Sequence, residues 1–208
     1  MLHYKTVDEG TLGLLKQLQT INILSEMRLV GGTSLALQFG HRKSIDIDLF
    51  GVLNVEYEKM IDELKTLGEV VPLKISKNIY SLLINEIKVD IVNYKYRWLT
   101  NRLTIDNVHF ATIEDISAMK LNAIIGRGSK KDFIDLFFIL QNYTLAKILE
   151  FYLKKYHDGS IFLVLKSLTY FDDADDQEMP YMYHPITWQS IKDNIKKAHA
   201  EYVISYIK

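Results

Sequence analysis

The sequence predicts an α+β chain in which a mixed sheet with helices, over residues 1–112, is followed by a C-terminal helical bundle over residues 113–208. Three observations lead there. Residues 29–50, LVGGTSLALQFGHRKSIDIDLF, run from an apolar stretch through two glycines and an apolar helical turn into the alternation of a half-buried strand. Residues 69–94 contain three β-rich runs, the last two separated by a tight-turn signal near Asn85. From Thr112-Ile113-Glu114-Asp115 onward the apolar spacing is helical, which places a domain boundary near residue 112.

Each element has its own signal. Residues 11–27 carry leucines and isoleucines at three- and four-residue spacings behind the acidic start Asp8-Glu9, so a helix is expected there. Residues 28–30 read as a first short strand, and 33–39 as a helix capped by Thr33 or Ser34. In 45–49 the period of two sends Ile45, Ile47 and Leu49 into the core and leaves Asp46 and Asp48 together on the other face. Residues 55–67 form an amphipathic helix closed by Gly68, and strands follow over 69–75, 78–84 and 86–94. Residues 96–110 read as irregular or weakly extended. Further helices are expected over 145–156, 160–168 and 186–207, the last capped by Thr187, with 172–178 as a solvated acidic connector.

Composition narrows the function classes. A chain of 208 residues with 48% hydrophobic and 25% charged residues can bury a real core, as a globular protein and not a disordered one. A net charge of −1 gives no global attraction to nucleic acid, so RNA contact would need a local basic patch. The absence of cysteine excludes disulfides, thiolate chemistry and Cys-ligated zinc. The opening MLHYKTVDEG has neither a leader nor a lipidation motif, and no apolar run approaches membrane length, so a cytoplasmic protein without membrane contact is expected.

The candidate chemistry gathers in residues 29–50. Glycines after a strand let backbone approach phosphate oxygens, and a helix starting there turns its free N–H groups toward an anion. Gly31, Gly32, Thr33 and Ser34 are therefore the candidate phosphate cradle, with helix capping as the plainer use of the two hydroxyls. Asp46 and Asp48 on one sheet face repel unless a cation lies between them, and a hard divalent ion bridging to phosphate is the usual answer. Alone, the pair would read as a solvated turn. Its company argues otherwise, because Asp90 sits in a matching β-branched run, Ile87-Lys88-Val89-Asp90-Ile91-Val92, where pairing of the two strands would gather all three acids. His41-Arg42-Lys43-Ser44 could supply surface ion pairs, or could place Arg42 or Lys43 against a triphosphate and Ser44 against the nucleotide. His41 has no nucleophile in reach and reads as a surface or packing residue.

Farther along, Lys120 has mostly apolar neighbours, and Asp132 and Asp135 share a helix face. The residues alone leave a capping or salt-bridge network and an active-site role evenly balanced.

The Gly-Gly pair, the acid–apolar–acid strand and the later single acid resemble the signature of minimal nucleotidyltransferases of the polymerase-beta-like superfamily. With the Lys120 helix, the Lys131-Asp132-Phe133-Ile134-Asp135-Leu136 segment, Tyr170-Phe171-Asp172-Asp173-Ala174-Asp175 and Met179-Pro180, nearly the whole chain resembles the AbiEii/AbiGii-like nucleotidyltransferases, toxins of abortive-infection toxin–antitoxin systems. The resemblance implies transfer of an NMP from an NTP to an RNA, such as a transfer RNA, or to a protein acceptor. It implies Mg2+ or Mn2+ as cofactor, held by Asp46, Asp48 and Asp90, and a cognate antitoxin acting through gene regulation or direct contact. Lys120 and Asp132 would join the acids as catalytic residues. Gly31, Gly32, Thr33, Ser34, Lys43, Ser44 and Lys120 would hold the nucleotide. The other class left open is a non-catalytic module of the same fold that binds nucleotide or a partner without turnover.

Overall fold

Two compact units make up the computed structural model, residues 1–96 with 101–112 and residues 97–100 with 113–208. Residues 1–207 are described.

The first unit is built on a seven-stranded mixed sheet of order β3-β4-β5-β2-β1-β7-β6. The strands are β1 (Arg28–Leu29), β2 (Ile47–Gly51), β3 (Val70–Ile75), β4 (Ile79–Ile84), β5 (Ile87–Asn93), β6 (Leu103–Ile105) and β7 (Val108–Phe110). Asn85 and Glu86 join β4 to β5 with φ of 49° and 65°, the conformation that lets a two-residue turn follow the twist of its strands. That hairpin fixes the register of β5. β5 then runs parallel to β2, with Asp48 opposite Asp90. Three helices, α1 (Glu9–Thr20), α2 (Gly31–Phe39) and α3 (Tyr57–Lys65), complete the unit. Leu14, Leu15 and Leu18 of α1 and Met60, Ile61 and Leu64 of α3 share one buried cluster with Ile47, Leu49, Leu82, Ile84, Val89 and Ile91 of the sheet. One face of β2 and β5 is thus sealed in the core, and the alternate residues, with their carboxylates, lie on the other.

Several sequence expectations are corrected here. Ile45 is 52% exposed, not in the core. The β2–β5 ladder begins at Ile47, so the residue before Asp46 has no partner strand to hold it inward. Helix α2 starts at Gly31 and its N-cap is Val30, with no side-chain cap; neither Thr33 nor Ser34 caps it. The expected helix over 11–27 is shorter, because α1 ends at Thr20 and a 3-10 turn follows over Asn22–Leu24. Residues 96–110 contain the β6–β7 hairpin, whose Asp106-Asn107 turn has φ of 52° and 63°.

The second unit is helical: α4 (Ile113–Gly126), α5 (Lys130–Leu140), α6 (Leu145–Lys155), α7 (Ile161–Leu168), α8 (Asp172–Asp175) and α9 (Trp188–Ile207). Ser160 and Thr144 cap α7 and α6, and Thr187 accepts from the Ser190 N–H at the start of α9. The acidic connector is therefore a short helix, not a loop, and Asp175 within it bonds both Lys192 Nζ at 2.9 Å and Trp188 Nε1 at 2.6 Å. A fully buried ion pair, Lys155 with Asp115 at 2.6 Å, also holds residues 97–100 in this unit. Asp115 accepts the Leu99 N–H, while Lys155 donates to the Arg97 carbonyl and lies 4.5 Å from the Trp98 ring centroid. Trp98 is thereby a packing residue. Among the described residues no helix is long and apolar enough to cross a membrane.

Candidate active site

The site of the first unit starts at the turn from β1 into α2. The first hydrogen bond of α2 runs from the Ser34 N–H to the Val30 carbonyl, so the N–H groups of Gly31, Gly32 and Thr33 precede the helical ladder. They stand at the positive end of the helix dipole. The Val30 N–H donates to the Asp48 carbonyl at 2.9 Å, which locks this turn against β2.

Both glycines are needed, for different neighbours. Gly31 has φ of 68°, and a Cβ there would collide with the Asp48 carboxylate; at Gly32 it would collide with the Arg42 guanidinium. The Gly-Gly pair thus lets one acid and one base press against the same backbone. Gly31→Ala is expected to cost about 1–3 kcal/mol of stability through the strained φ and to push the Asp48 carboxylate away. A thermal melt with a nucleotidyl-transfer assay checks this, and an unchanged melt and rate would count against it.

The sequence-predicted residues fall into three groups. Asp48 and Asp90 face each other in register on adjacent parallel strands, whereas Asp46, expected within the strand, lies just before β2 with its backbone carbonyl held by Thr33. Arg42 is buried, with Nη1 donating to the Lys43 carbonyl at 3.1 Å, whereas Lys43 itself is exposed and its charge acts on Asp8. The hydroxyls are spent internally: Thr33 bonds Ser44 Oγ at 2.9 Å and the Asp46 carbonyl, and Ser34 accepts from Gln38 at 3.0 Å. Thr33 and Ser44 therefore fix the segment that carries Asp46. His41 is buried and packs against Phe39, so of its two expected places, surface or packing, it takes the second.

Lys88 was missed. Its Nζ lies 2.9 Å from Asp90 Oδ2, and the two side chains are 43% and 23% exposed. Burial opposes the charge on Lys88, but its bond to Asp90 and the charges of Asp90, Asp46 and Asp48 prevail and raise its pKa above the ordinary lysine value. All three acids thus act on one ammonium. The period of two in Lys88-Val89-Asp90 carried this signal, because it puts the lysine on the same strand face as the acids.

The residues fit a divalent cation in kind. All the donors are carboxylate oxygens, and Asp90 Oδ1 is buried without a hydrogen-bond partner, the situation a hard cation would relieve. Among the described residues, no three acidic or histidine side chains converge closely enough as they stand to form a ready-made cluster.

Comparison with known proteins decides the family. The family model for the nucleotidyl transferase AbiEii toxin of type IV toxin–antitoxin systems matches residues 14–202. The chain belongs to the AbiEii nucleotidyltransferase toxin family. It is also 30% identical over 197 residues to the uncharacterised protein aq_aa25 of Aquifex aeolicus (strain VF5), covering 91% of this chain and 94% of that one. Among solved structures, a candidate nucleotidyltransferase from Helicobacter pylori superposes with a TM-score of 0.57 at 18% identity, covering 93% of this chain and 96% of that one. JHP933 from Helicobacter pylori gives a TM-score of 0.55 at 15% identity over 96% of each chain. The fold is that of the polymerase-beta-like nucleotidyltransferases.

The remaining residues that the AbiEii resemblance singles out lie in the second unit. Lys120 Nζ sits 3.0 Å from Asp132 and 2.6 Å from Asp135, both of them fully buried. Arg127, 68% exposed, adds bonds of 2.8 and 3.0 Å to Asp132, and Ser129 donates to it at 2.7 Å. Burial would raise the Asp132 pKa; Lys120, Arg127 and Ser129 together outweigh it and hold the carboxyl far below its ordinary value. Two cations and two anions balance in this quartet. Lys130 opens α5 and is buried, bonded to the Asp175 and Gln177 carbonyls, whereas Lys131 after it is exposed.

Proposed function

We propose that this AbiEii-family protein transfers an NMP from an NTP to an RNA, such as a transfer RNA, or to a protein acceptor, and that it is the toxin of a toxin–antitoxin pair. The observation that carries this reading is the register of Asp48 against Asp90, with the Asp48 carboxylate lying on Gly31 at the N-terminus of α2. Phosphates gathered at that helix end would lie beside paired carboxylates.

Asp46, Asp48 and Asp90 would hold Mg2+ or Mn2+. Bound there, the cation would neutralise triphosphate oxygens that the carboxylates would otherwise repel. The N–H groups of Gly31, Gly32 and Thr33 would receive the pyrophosphate end, with the buried Arg42 guanidinium behind Gly32 adding positive charge. Attack by an acceptor hydroxyl on the α-phosphorus would form one P–O bond and break the bond from that phosphorus to the bridging α–β oxygen, releasing pyrophosphate, while Asp90 would either complete a two-metal site or take the hydroxyl proton. Lys120 and Asp132 enter as candidate catalytic residues through the family likeness, and Lys43 and Ser44 as candidate nucleotide contacts.

Incubation of the pure protein with each labelled NTP, Mg2+ and total cellular RNA and protein tests this. Label in one macromolecule, with pyrophosphate released, is the expected result and names acceptor and nucleotide together. Nucleotide binding without release would instead support a binding module of the same fold. A cognate antitoxin should abolish the labelling, or the expression of the toxin, when supplied alongside it.

A further inference from the structure

Resting on the reading above, we propose that Lys88 is a built-in counter-cation of the carboxylate site: its ammonium holds Asp90 while no metal is bound and competes with a divalent cation for that carboxylate. Lys88 pairs with Asp90 and feels the charges of Asp90, Asp46 and Asp48 together. The pairing geometry concentrates them. Across the sheet, Lys88 lies opposite Leu83 and Asp90 opposite Ser81, so β4 offers no acid that could draw the lysine away. The 2.9 Å contact is to one oxygen of Asp90, while the other oxygen is buried and makes no hydrogen bond.

An ammonium and a dication cannot both sit against one carboxylate without strong repulsion, even at the effective dielectric of a partly wet site. Lysine is suited to yielding. Its charge is a single point on a flexible four-carbon stem, and this side chain, 43% exposed, has a route to solvent. The lysine therefore offsets the Asp90 charge before metal arrives, and it sets how strongly metal must bind to displace it.

The test is titration of Mn2+ into the full chain without nucleotide, reading free Mn2+ by paramagnetic resonance. Lys88→Met is expected to bind Mn2+ about tenfold more tightly than wild type, the effect of removing one like charge from a close site. Lys88→Arg, which keeps the charge, should bind as wild type does; should Lys88→Met melt below the titration temperature, Lys88→Gln takes its place. Unchanged or weaker binding by the neutral variant would show a lysine that positions Asp90 instead, and overturns the proposal while leaving the metal site intact. If neither wild type nor variant binds Mn2+, or if Asp48→Asn binds it as well as wild type, the carboxylate metal site itself falls, and the lysine's role with it.

Discussion

Asp48→Asn is expected to lower nucleotidyl transfer by at least about 10²-fold, the scale of removing one group that stabilises charge at a reacting phosphate, and Asp46→Asn/Asp48→Asn to bring it to background. Asp48 is the acid that touches the most of the site. Its backbone carbonyl accepts from Val30, its carboxylate lies on Gly31, and its register partner is Asp90. The substitution keeps shape and removes charge. Loss of transfer with an unchanged melt would locate the chemistry at this carboxylate. Loss with a large drop in melting temperature would mean that the strand pair had come apart, and full transfer by the double variant would remove these acids from the mechanism.

Local patterns made the sheet-borne half of this site legible. Alternation in Ile47-Asp48-Leu49 and Val89-Asp90-Ile91 fixed which side chains enter the core, and the tight turn at Asn85-Glu86 set the register of β5. Alternation failed at Ile45, where the ladder had ended and no partner strand enforced the pattern. The β6–β7 hairpin escaped because three-residue strands carry too little periodicity, although Asp106-Asn107 was a usable turn signal. Lys88 was legible in the same period of two, which puts it on the strand face of Asp90. By contrast, nothing local announces that Lys155 meets Asp115 forty residues away, since burial of an ion pair depends on tertiary packing. The hydroxyls of Thr33 and Ser44 taught a related point: near a phosphate turn, a hydroxyl can serve backbone geometry, as theirs do in fixing the Asp46 segment.

Lys120→Met is expected to destabilise the second unit by about 3–5 kcal/mol, the usual result of removing one partner from a buried ion pair. Without Lys120, Asp135 loses its 2.6 Å cation, and Asp132 keeps the Ser129 hydroxyl and Arg127, most of whose side chain is in solvent. Lys120→Met/Asp135→Asn should recover much of that loss, because it removes one buried charge of each sign. Acid supplies an independent readout. The Asp132 pKa is depressed from 3.8, so the stability it contributes is fully present above that unfolded value and is lost as pH falls through the lower folded value. Urea denaturation from pH 7 downward should therefore show wild-type stability declining below about pH 4 more steeply than that of Asp132→Asn, whose position no longer titrates. The comparison separates two roles that the family likeness runs together. If Lys120→Met/Asp135→Asn melts near wild type yet transfers no nucleotide, Lys120 acts on the substrate; if activity returns with stability, the quartet is scaffold, and the chemistry rests on Asp46, Asp48 and Asp90.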